Sequence, residues 1–457
     1  MKQALDSLPA TLDDTYTRVL LDIDDVYHDH ALTLLQWLAY ARSPPTLGEL
    51  VDAAVTDPTH ESYIDADNRG DLEDTLNILS GLVIVEESKD ADVKGHAETE
   101  SLTRDASSID HGQADVVFHN ENLTSDTRVR LAHFSVKEFL ESRRVLKSGA
   151  SQFYLERAIG HRSLAQSCLT YLRYYSLSCE KTLTSQDLET FPLLRYAAES
   201  WFYHSRLQCG GEVSREMSLL QLEQVRDDWL LVYDPDTPWK EPFEEKDEER
   251  GPHSAVYYAS FLGLLAVVTK LLENEADVNA ECGGYGTALQ AASAIGDKEI
   301  VQLLLDNGAN VDAEGGEDGT ALRVASAIGD MELVQLLLNN GANVNAESRE
   351  DGTALQAALA RGEKELVQLL LDNGASLNAE GGDDVTALWV ALAVGDNELV
   401  QLLLNNGVNV DTEDGEDGTV LEDASVRGYK EIVQLLRASS ILDTSRNSDP
   451  DRYSAKH

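Results

Sequence analysis

Two short groupings, His28-Asp29-His30 and His133-Phe134-Ser135, have residue types that could do chemistry: a metal pair in the first, a nucleophile with its base in the second. Two ligands at i and i+2 on a helix point apart, so the first grouping reads as a solvated, acidic helix end. The second lies at a strand-to-helix corner, where alternation puts both side chains on one strand face. No carboxylate or oxyanion donor can be placed beside it, and a structural role is expected. A phosphate-binding loop, GxxxxGK[ST], does not occur, nor do a GxSxG elbow, an HExxH pair or the kinase motif set. The hairpin glycines come singly or as Gly-Gly, which serves turns. The chain is therefore expected to be no enzyme, with no catalytic, cofactor-binding or metal-ligating residue and no small-molecule substrate.

What does recur with fixed spacing is a phrase. Gly286-Thr287-Ala288-Leu289-Gln290 returns as Gly319-Thr320-Ala321-Leu322-Arg323 and Gly352-Thr353-Ala354-Leu355-Gln356, an interval of 33 residues. Weaker copies follow at Val385-Thr386-Ala387-Leu388-Trp389 and Gly418-Thr419-Val420-Leu421-Glu422. Thr287 suits an N-cap, and Gln290 three residues on would complete a capping box, as would Thr353 with Gln356 and Thr419 with Glu422. Gly296 permits a tight turn and Gly308 a left-handed C-cap. Between them Ile300, Val301, Leu303, Leu304 and Leu305 make a helix apolar on more than one side, as expected when each helix pair is sandwiched between neighbours.

These residues closely resemble the ankyrin family, in period and in phrase. The resemblance covers residues 252–438 as six units: 252–284, 285–317, 318–350, 351–383, 384–416 and 417 to about 438. The family's usual Pro after Thr, and His three after Thr, are replaced here by Ala and by Gln, Arg, Trp or Glu. In ankyrin domains, partners meet the hairpin tips and the exposed end of the first helix. Carried over, the tips are Glu317-Asp318, Glu350-Asp351, Asp383-Asp384 and Glu416-Asp417, with Tyr285 in the first full unit. The helix ends are Ala294-Ile295, Ala327-Ile328, Ala360-Arg361 and Ala393-Val394. Trp389, which breaks the Gln pattern, is either core filler or a partner anchor. The picture is a shallow apolar groove edged by carboxylates, against the plainer reading that the carboxylates are solvated loop residues copied with the repeat. No 12-residue loop with alternating oxygen ligands is present, so a calcium ladder is not expected.

Charge narrows the partner. With 36 basic against 82 acidic residues, a net −46, the surface repels phosphate backbones and anionic lipid. Nucleic acid and membrane are poor partners; a protein with basic segments is a better one. Cys168, Cys179, Cys209 and Cys282 are scattered without a CxxC, which fits reduced thiols and a cytoplasmic or nuclear protein. Ser254 to Thr269 carries no charge but is only 16 residues long and aligns with the repeat, so it is expected not to span a membrane.

The N-terminal half reads as helices over Leu12–Ile23, His30–Tyr40, Thr46–Ala54 (a capping box of Thr46 and Glu49) and Asp71–Leu79, with strands at Leu82–Val85 and Val129–Phe134 and a helix at Val136–Ser142. Three helices then two strands is a winged-helix order, with a polar, disordered insert expected at about 87–127. Its would-be recognition helix, Asp71 to Asn77, has three carboxylates and no cation, so DNA reading is not expected. The phrases LDSLPATLDDTYTRVLLDI (Leu5–Ile23), ALTLLQWLAYARSPPTLGELVDA (Ala31–Ala53) and VRLAHFSVKEFL (Val129–Leu140) resemble the region after the NACHT module of fungal STAND proteins, with its winged helix of the GPI inositol-deacylase type. FPLLRYAAESWFYHSRL (Phe191–Leu207) and YDPDTPW (Tyr233–Trp239) resemble what joins that region to ankyrin repeats. Met1 falls where the nucleotide-binding module would already have ended, so the chain is expected to lack it.

The expected fold is mainly α: a winged-helix-like domain (1–150), a helical connector and acidic linker (151–251), an ankyrin solenoid (252–438) and a disordered tail (439–457). The resemblance implies the sensing and regulatory part of an innate-immunity or self/non-self receptor. The alternative is an ankyrin adaptor that presents a captured protein to a ubiquitin ligase or other effector, although no cullin-box-like helix is found.

Overall fold

The structure is a computed structural model, and it describes residues 11–60, 64, 69–86, 123–208, 210–244, 254–316, 319–348, 352–379, 386–410, 413–414 and 418–447. The chain divides into two compact units, Met1–Lys246 and Asp247–His457.

The first unit opens with α1 (Leu12–Leu21), capped by Thr11, whose hydroxyl accepts from Asp14 N. It continues through α2 (His28–Tyr40), α3 (Leu47–Val55) and α4 (Leu72–Ile78) to an antiparallel pair, β1 (Val83–Glu86) and β2 (Arg128–Leu131). Val83 faces Leu131 and Glu86 faces Arg128 in that ladder, and Arg130 closes an ion pair with Glu86 at 2.7 Å. The capping box of Thr46 and Glu49 is present at the start of α3. Residues 123–127, assigned above to the polar insert, are ordered: Ser125 O and Thr127 O accept from Gly48 N and Leu47 N, each at 2.8 Å. They satisfy amides at the α3 N-terminus that have no partner within the helix. The rest of the insert, 87–122, lies outside the described residues.

The second expected strand is shorter than its alternation suggested. His133 is an N-cap: its Nδ1 accepts from Ser135 N at 3.2 Å, so α5 (Phe134–Leu140) begins two residues before Val136. Ser135 Oγ lies 2.7 Å from His133 Nδ1 and 2.7 Å from Tyr16 Oη. With its lone pair committed to the cap, His133 is structural. His28 is likewise local, its Nε2 3.1 Å from Ile23 O. Among the described residues no cluster of three or more His, Cys, Asp or Glu could hold a metal ion.

The expected boundary at residue 150 falls inside this unit. The long helix α7 (Arg157–Leu177) packs on α9 (Leu194–Leu207) and also on α2, so the connector and the preceding helices share one core. Gly160 makes that approach possible, because a Cβ there would overlap the Tyr40 ring. Trp37 packs on Tyr196 (5.1 Å between ring centres) and Trp201 meets Trp229 edge-on at 5.6 Å. Asp52, buried on α3, takes Arg69 Nε at 2.8 Å and the Tyr171 hydroxyl. Burial raises its carboxyl pKa, while Tyr171 and Arg69 pull it back down.

A second buried chain runs through this core. Arg42 N–H donates to Tyr196 Oη (3.0 Å), Tyr196 Oη lies 2.8 Å from His204 Nε2, and His204 Nδ1 lies 2.9 Å from His161 Nδ1. One proton order satisfies it. The phenol, already an acceptor, donates to His204 Nε2, and the remaining Nδ1–H of His204 donates to His161 Nδ1. Both imidazoles are neutral in this arrangement. Burial lowers their pKa, to about 4 for His161 and about 3 for His204, with the Arg157 charge adding to the first and His161 to the second.

The second unit is six stacked helix pairs: Ala255–Phe261 with Leu265–Glu273, Ala288–Ala294 with Lys298–Asp306, Ala321–Ile328 with Met331–Asn339, Ala354–Arg361 with Lys364–Asp372, Ala387–Val394 with Asn397–Asn405, and Val420–Val426 with Lys430–Asn447. The last helix continues past 438 to Asn447, so the tail expected from 439 begins as helix; residues 448–457 lie outside the described residues. Ser254 to Thr269 is two helices broken at Leu264, and no described helix is long and apolar enough to cross a membrane. Successive first helices pack together, as do successive second helices. Ile300, Val301 and Leu304 are fully buried, as are their counterparts Leu333, Val334 and Leu337 in the next pair.

Three side-chain devices tie neighbouring units. An Asx row bridges the turns: Asn310 N donates to Asn279 Oδ1 (2.8 Å), Asn343 N to Asp312 Oδ1 (2.7 Å), Ser376 N to Asn345 Oδ1 (2.7 Å) and Asn409 N to Asn378 Oδ1 (3.1 Å). Lysines at the start of some second helices reach carboxylates of the following pair. The third device corrects an expectation. Capping boxes form at Thr353/Gln356 and Thr419/Glu422. At Thr287 only the hydroxyl caps, and the Gln290 side chain crosses to the next unit, where Nε2 donates to Ala313 O (3.2 Å), Gly315 O (3.0 Å) and Gly319 O. The next turn comes that close because Gly286, at φ +93°, lies against Gly315 with no room for a Cβ.

Candidate interaction surface

The first helices of the repeats are built to bury one side and show their ends. Thr caps fix where each begins: Thr287, Thr320, Thr353 and Thr419 accept from the amide three residues on. Left-handed glycines end three of them, Gly329, Gly362 and Gly395. In a helix of seven or eight residues, positions two to six then face the stack. The last two are left at the surface.

The expected helix-end residues follow that geometry. Ile295 is 37% exposed and Val394 43%, Ala327, Ala360 and Arg361 are exposed, and Ala294 and Ile328 are half-buried. Because these positions recur every 33 residues in helices that pack side by side, they form one row. The floor is alanine and the larger groups are Ile295, Ile328 and Val394. Val426, 85% exposed, extends the row into the last unit. It was missed in the sequence because the last unit was read only for its cap; the alanine column, 294, 327, 360, 393 and then Val426, would have found it.

Other expected residues lie elsewhere. Arg361 is also a clamp, its Nη1 donating to Ala327 O of the preceding unit at 3.4 Å. Tyr285 is half-buried with its ring 5.2 Å from that of Phe261. Trp389 is 8% exposed, which places it in the core and not in the groove, and its Nε1 has no hydrogen-bond partner. An unsatisfied buried donor contributes nothing, so Trp389→Phe is expected to leave the urea midpoint of the repeats within about 1 kcal/mol of wild type. A larger loss would mean that the indole N–H is bonded. The carboxylates at Glu317, Asp318, Glu350, Asp351, Asp383, Asp384, Glu416 and Asp417 all lie outside the described residues.

No reactive centre accompanies this surface among the described residues. Cys168 is fully buried, and burial pushes its thiol pKa up, away from the reactive thiolate.

Comparison with known proteins agrees with this geometry. The family model for ankyrin repeats matches three overlapping stretches, residues 253–348, 288–380 and 355–447. The chain thus carries ankyrin repeats through its C-terminal part, preceded by a helical unit. It is also 32% identical over 307 residues to azaphilone pigments biosynthesis cluster protein L of the fungus Monascus ruber. That match covers 63% of this chain and 57% of the relative, so the chain spans little more than half the relative's length.

Proposed function

We propose, with ankyrin repeats over residues 253–447 as the premise, that this chain is a non-enzymatic scaffold that captures a protein partner on the row of first-helix ends. The observation that carries the reading is the row itself: apolar groups held at the surface by a rigid stack, from Ile295 through Ile328 and Val394 to Val426. A preorganised surface of this kind binds without a cost of ordering loops. The charge of −46 favours a basic partner and disfavours nucleic acid. In the first unit, α4 begins with Glu73 and Asp74 and has no basic residue in its last turn, which supports the same exclusion.

The finer reading is the sensing and regulatory part of a STAND-type receptor, acting in the cytoplasm. It is supported by the resemblance of the N-terminal phrases and by the order of α2, α3, α4, β1 and β2, which suits a winged helix. Partner capture by the repeats would bias the first unit, and through it a nucleotide switch. The Monascus ruber relative, named for a pigment biosynthesis cluster, is compatible with an accessory binding role of either kind.

Replacing Ile295, Ile328 and Val394 by Asp tests the groove. Against a partner isolated with the wild-type chain, the triple variant is expected to weaken binding about 100-fold, mainly through faster dissociation, with unchanged far-UV circular dichroism. Unchanged affinity would move the binding surface elsewhere. Magnesium-dependent ATP binding at micromolar affinity would refute the non-enzymatic reading.

A further inference from the structure

The opposite edge of the repeats carries a second pattern, in the column that opens each second helix. It reads Leu265, Lys298, Met331, Lys364, Asn397, Lys430. At two of the lysines the side chain reaches forward into the next unit. Lys298 Nζ lies 3.2 Å from Asp330 Oδ1 and 2.5 Å from Glu332 Oε2. Lys364 Nζ lies 3.4 Å from Asp396 Oδ2 and pairs more closely with Glu398 Oε2. Asn397 makes a shorter version of the same link, its amide donating to Glu431.

At Leu265 and Met331 the cation is missing but its receiving carboxylates remain. The positions equivalent to Asp330 and Glu332 are Asp297 and Glu299 beyond Leu265, and Glu363 and Glu365 beyond Met331. Glu299 and Glu365 are exposed, and among the described residues neither carries an ion pair. Asp297 holds the same posture as Asp330, each accepting from the amide three residues on, at 3.1 and 3.0 Å. Glu363 takes no such cap bond. Leu265 and Met331 are themselves 36% and 47% exposed, and a shallow trough beside Leu265 runs over Thr269, Gln302, Leu303 and Leu336. Each vacancy therefore offers two carboxylates in a lysine-binding arrangement and an apolar rest for a lysine stem.

We propose that these two vacancies, Leu265 with Asp297 and Glu299, and Met331 with Glu363 and Glu365, receive two lysine side chains of a protein partner. The intervening units display the occupant, because there the chain's own Lys298 and Lys364 fill the equivalent place. The vacancies are two units apart. Neighbouring packed helices sit about 8–10 Å apart, so the two lysines must be about 16–20 Å apart. On a helix rising 1.5 Å per residue that is about 11 residues, or three turns, which returns both to one face. The partner segment is a helix laid across the repeats with lysines at i and i+11. This surface is separate from the groove of first-helix ends, and its test does not depend on that reading.

The probes are two labelled, Ala-rich helical peptides of equal length and charge, one with lysines at i and i+11, the other at i and i+5, where they point to different sides. Titrated with the full chain and followed by fluorescence anisotropy, the i/i+11 peptide is expected to bind about tenfold more tightly, since only it engages both vacancies at once. Leu265→Lys with Met331→Lys fills both places from within and should erase the preference. Glu299→Gln with Glu365→Gln should erase it without touching the apolar residues. Ile295→Asp with Ile328→Asp should leave it intact. Equal binding of the two peptides, a preference that survives either pair of filling or neutralising changes, or one lost on changing the groove, would overturn the proposal.

Discussion

Lowering the pH from about 6.5 towards 4 is expected to destabilise the N-terminal unit by on the order of 3 kcal/mol through its buried imidazole pair alone. His161 and His204 have folded pKa values lowered to about 4 and about 3. An unfolded histidine titrates near 6.5, so between these values the unfolded chain binds more protons and stability falls with pH. The contribution is complete above about 6.5 and is lost as pH falls through the folded values. The mechanism is steric as well as electrostatic. A second proton on either ring sets two N–H groups head to head across the 2.9 Å Nδ1–Nδ1 contact, or breaks the acceptance from Tyr196. No carboxylate contributes to either shift; the charges that do are Arg157 and Lys137 on His161 and Arg42 on His204, all cations. Urea midpoints between pH 7.5 and 4, read by tryptophan fluorescence, report this unit, which holds buried Trp37, Trp201 and Trp229. His161→Gln with His204→Gln should flatten the slope even if it lowers stability at pH 7.5. The same slope in wild type and variant would show that the pair does not drive it.

Gln290→Ala is expected to cost about 2–3 kcal/mol, because it strips the shared donor from carbonyls of the next unit's turn while leaving them in place. The side chain is fully buried and its Nε2 serves Ala313 O, Gly315 O and Gly319 O. Glu422→Ala, which loses only one arm of a capping box at an exposed site, should cost about 1 kcal/mol. Hydrogen exchange in the full chain separates the two. The Gln290 variant should lose protection in peptides covering 286–330, with the N-terminal unit unchanged. Unaltered exchange there would mean that the bridge contributes nothing to coupling of the repeats.

Gln290, Gln356 and Glu422 also show how far local patterning reaches. All three stand three residues after a capping Thr, and all three suggested the same box. Two fold back on their own cap, while Gln290 crosses to its neighbour because the Gly315 carbonyl comes within reach there. That choice depends on the approach of two turns separated by about one repeat, which no window within a single unit contains. The strand end at Leu131 is a similar case, since apolar alternation continued the strand where the His133 cap in fact started a helix.

Among the candidate surface residues, the outcome separates by what positions them. Ile295, Ile328, Arg361 and Val394 were legible from the repeat phase, because cap and turn glycine fix the helix length and hence which two residues reach its end. Trp389 was not, because whether an indole fills a core or faces a partner depends on space left by adjacent units.

The amino-acid sequence by itself determined the helix-pair solenoid, its period, its caps and turns and the acidity of the surface, all of which rest on interactions within a few residues or on their repetition. Tertiary structure alone decided the contacts between distant residues: the union of residues 11–60 with the helices after 150 through Asp52 and Tyr171, and the proton order from Arg42 to His161. It also decided which carboxylates in the second-helix column meet a lysine and which are left without one. Those depend on which side chains packing brings within 3 or 4 Å of each other, and the local pattern carries no record of that distance.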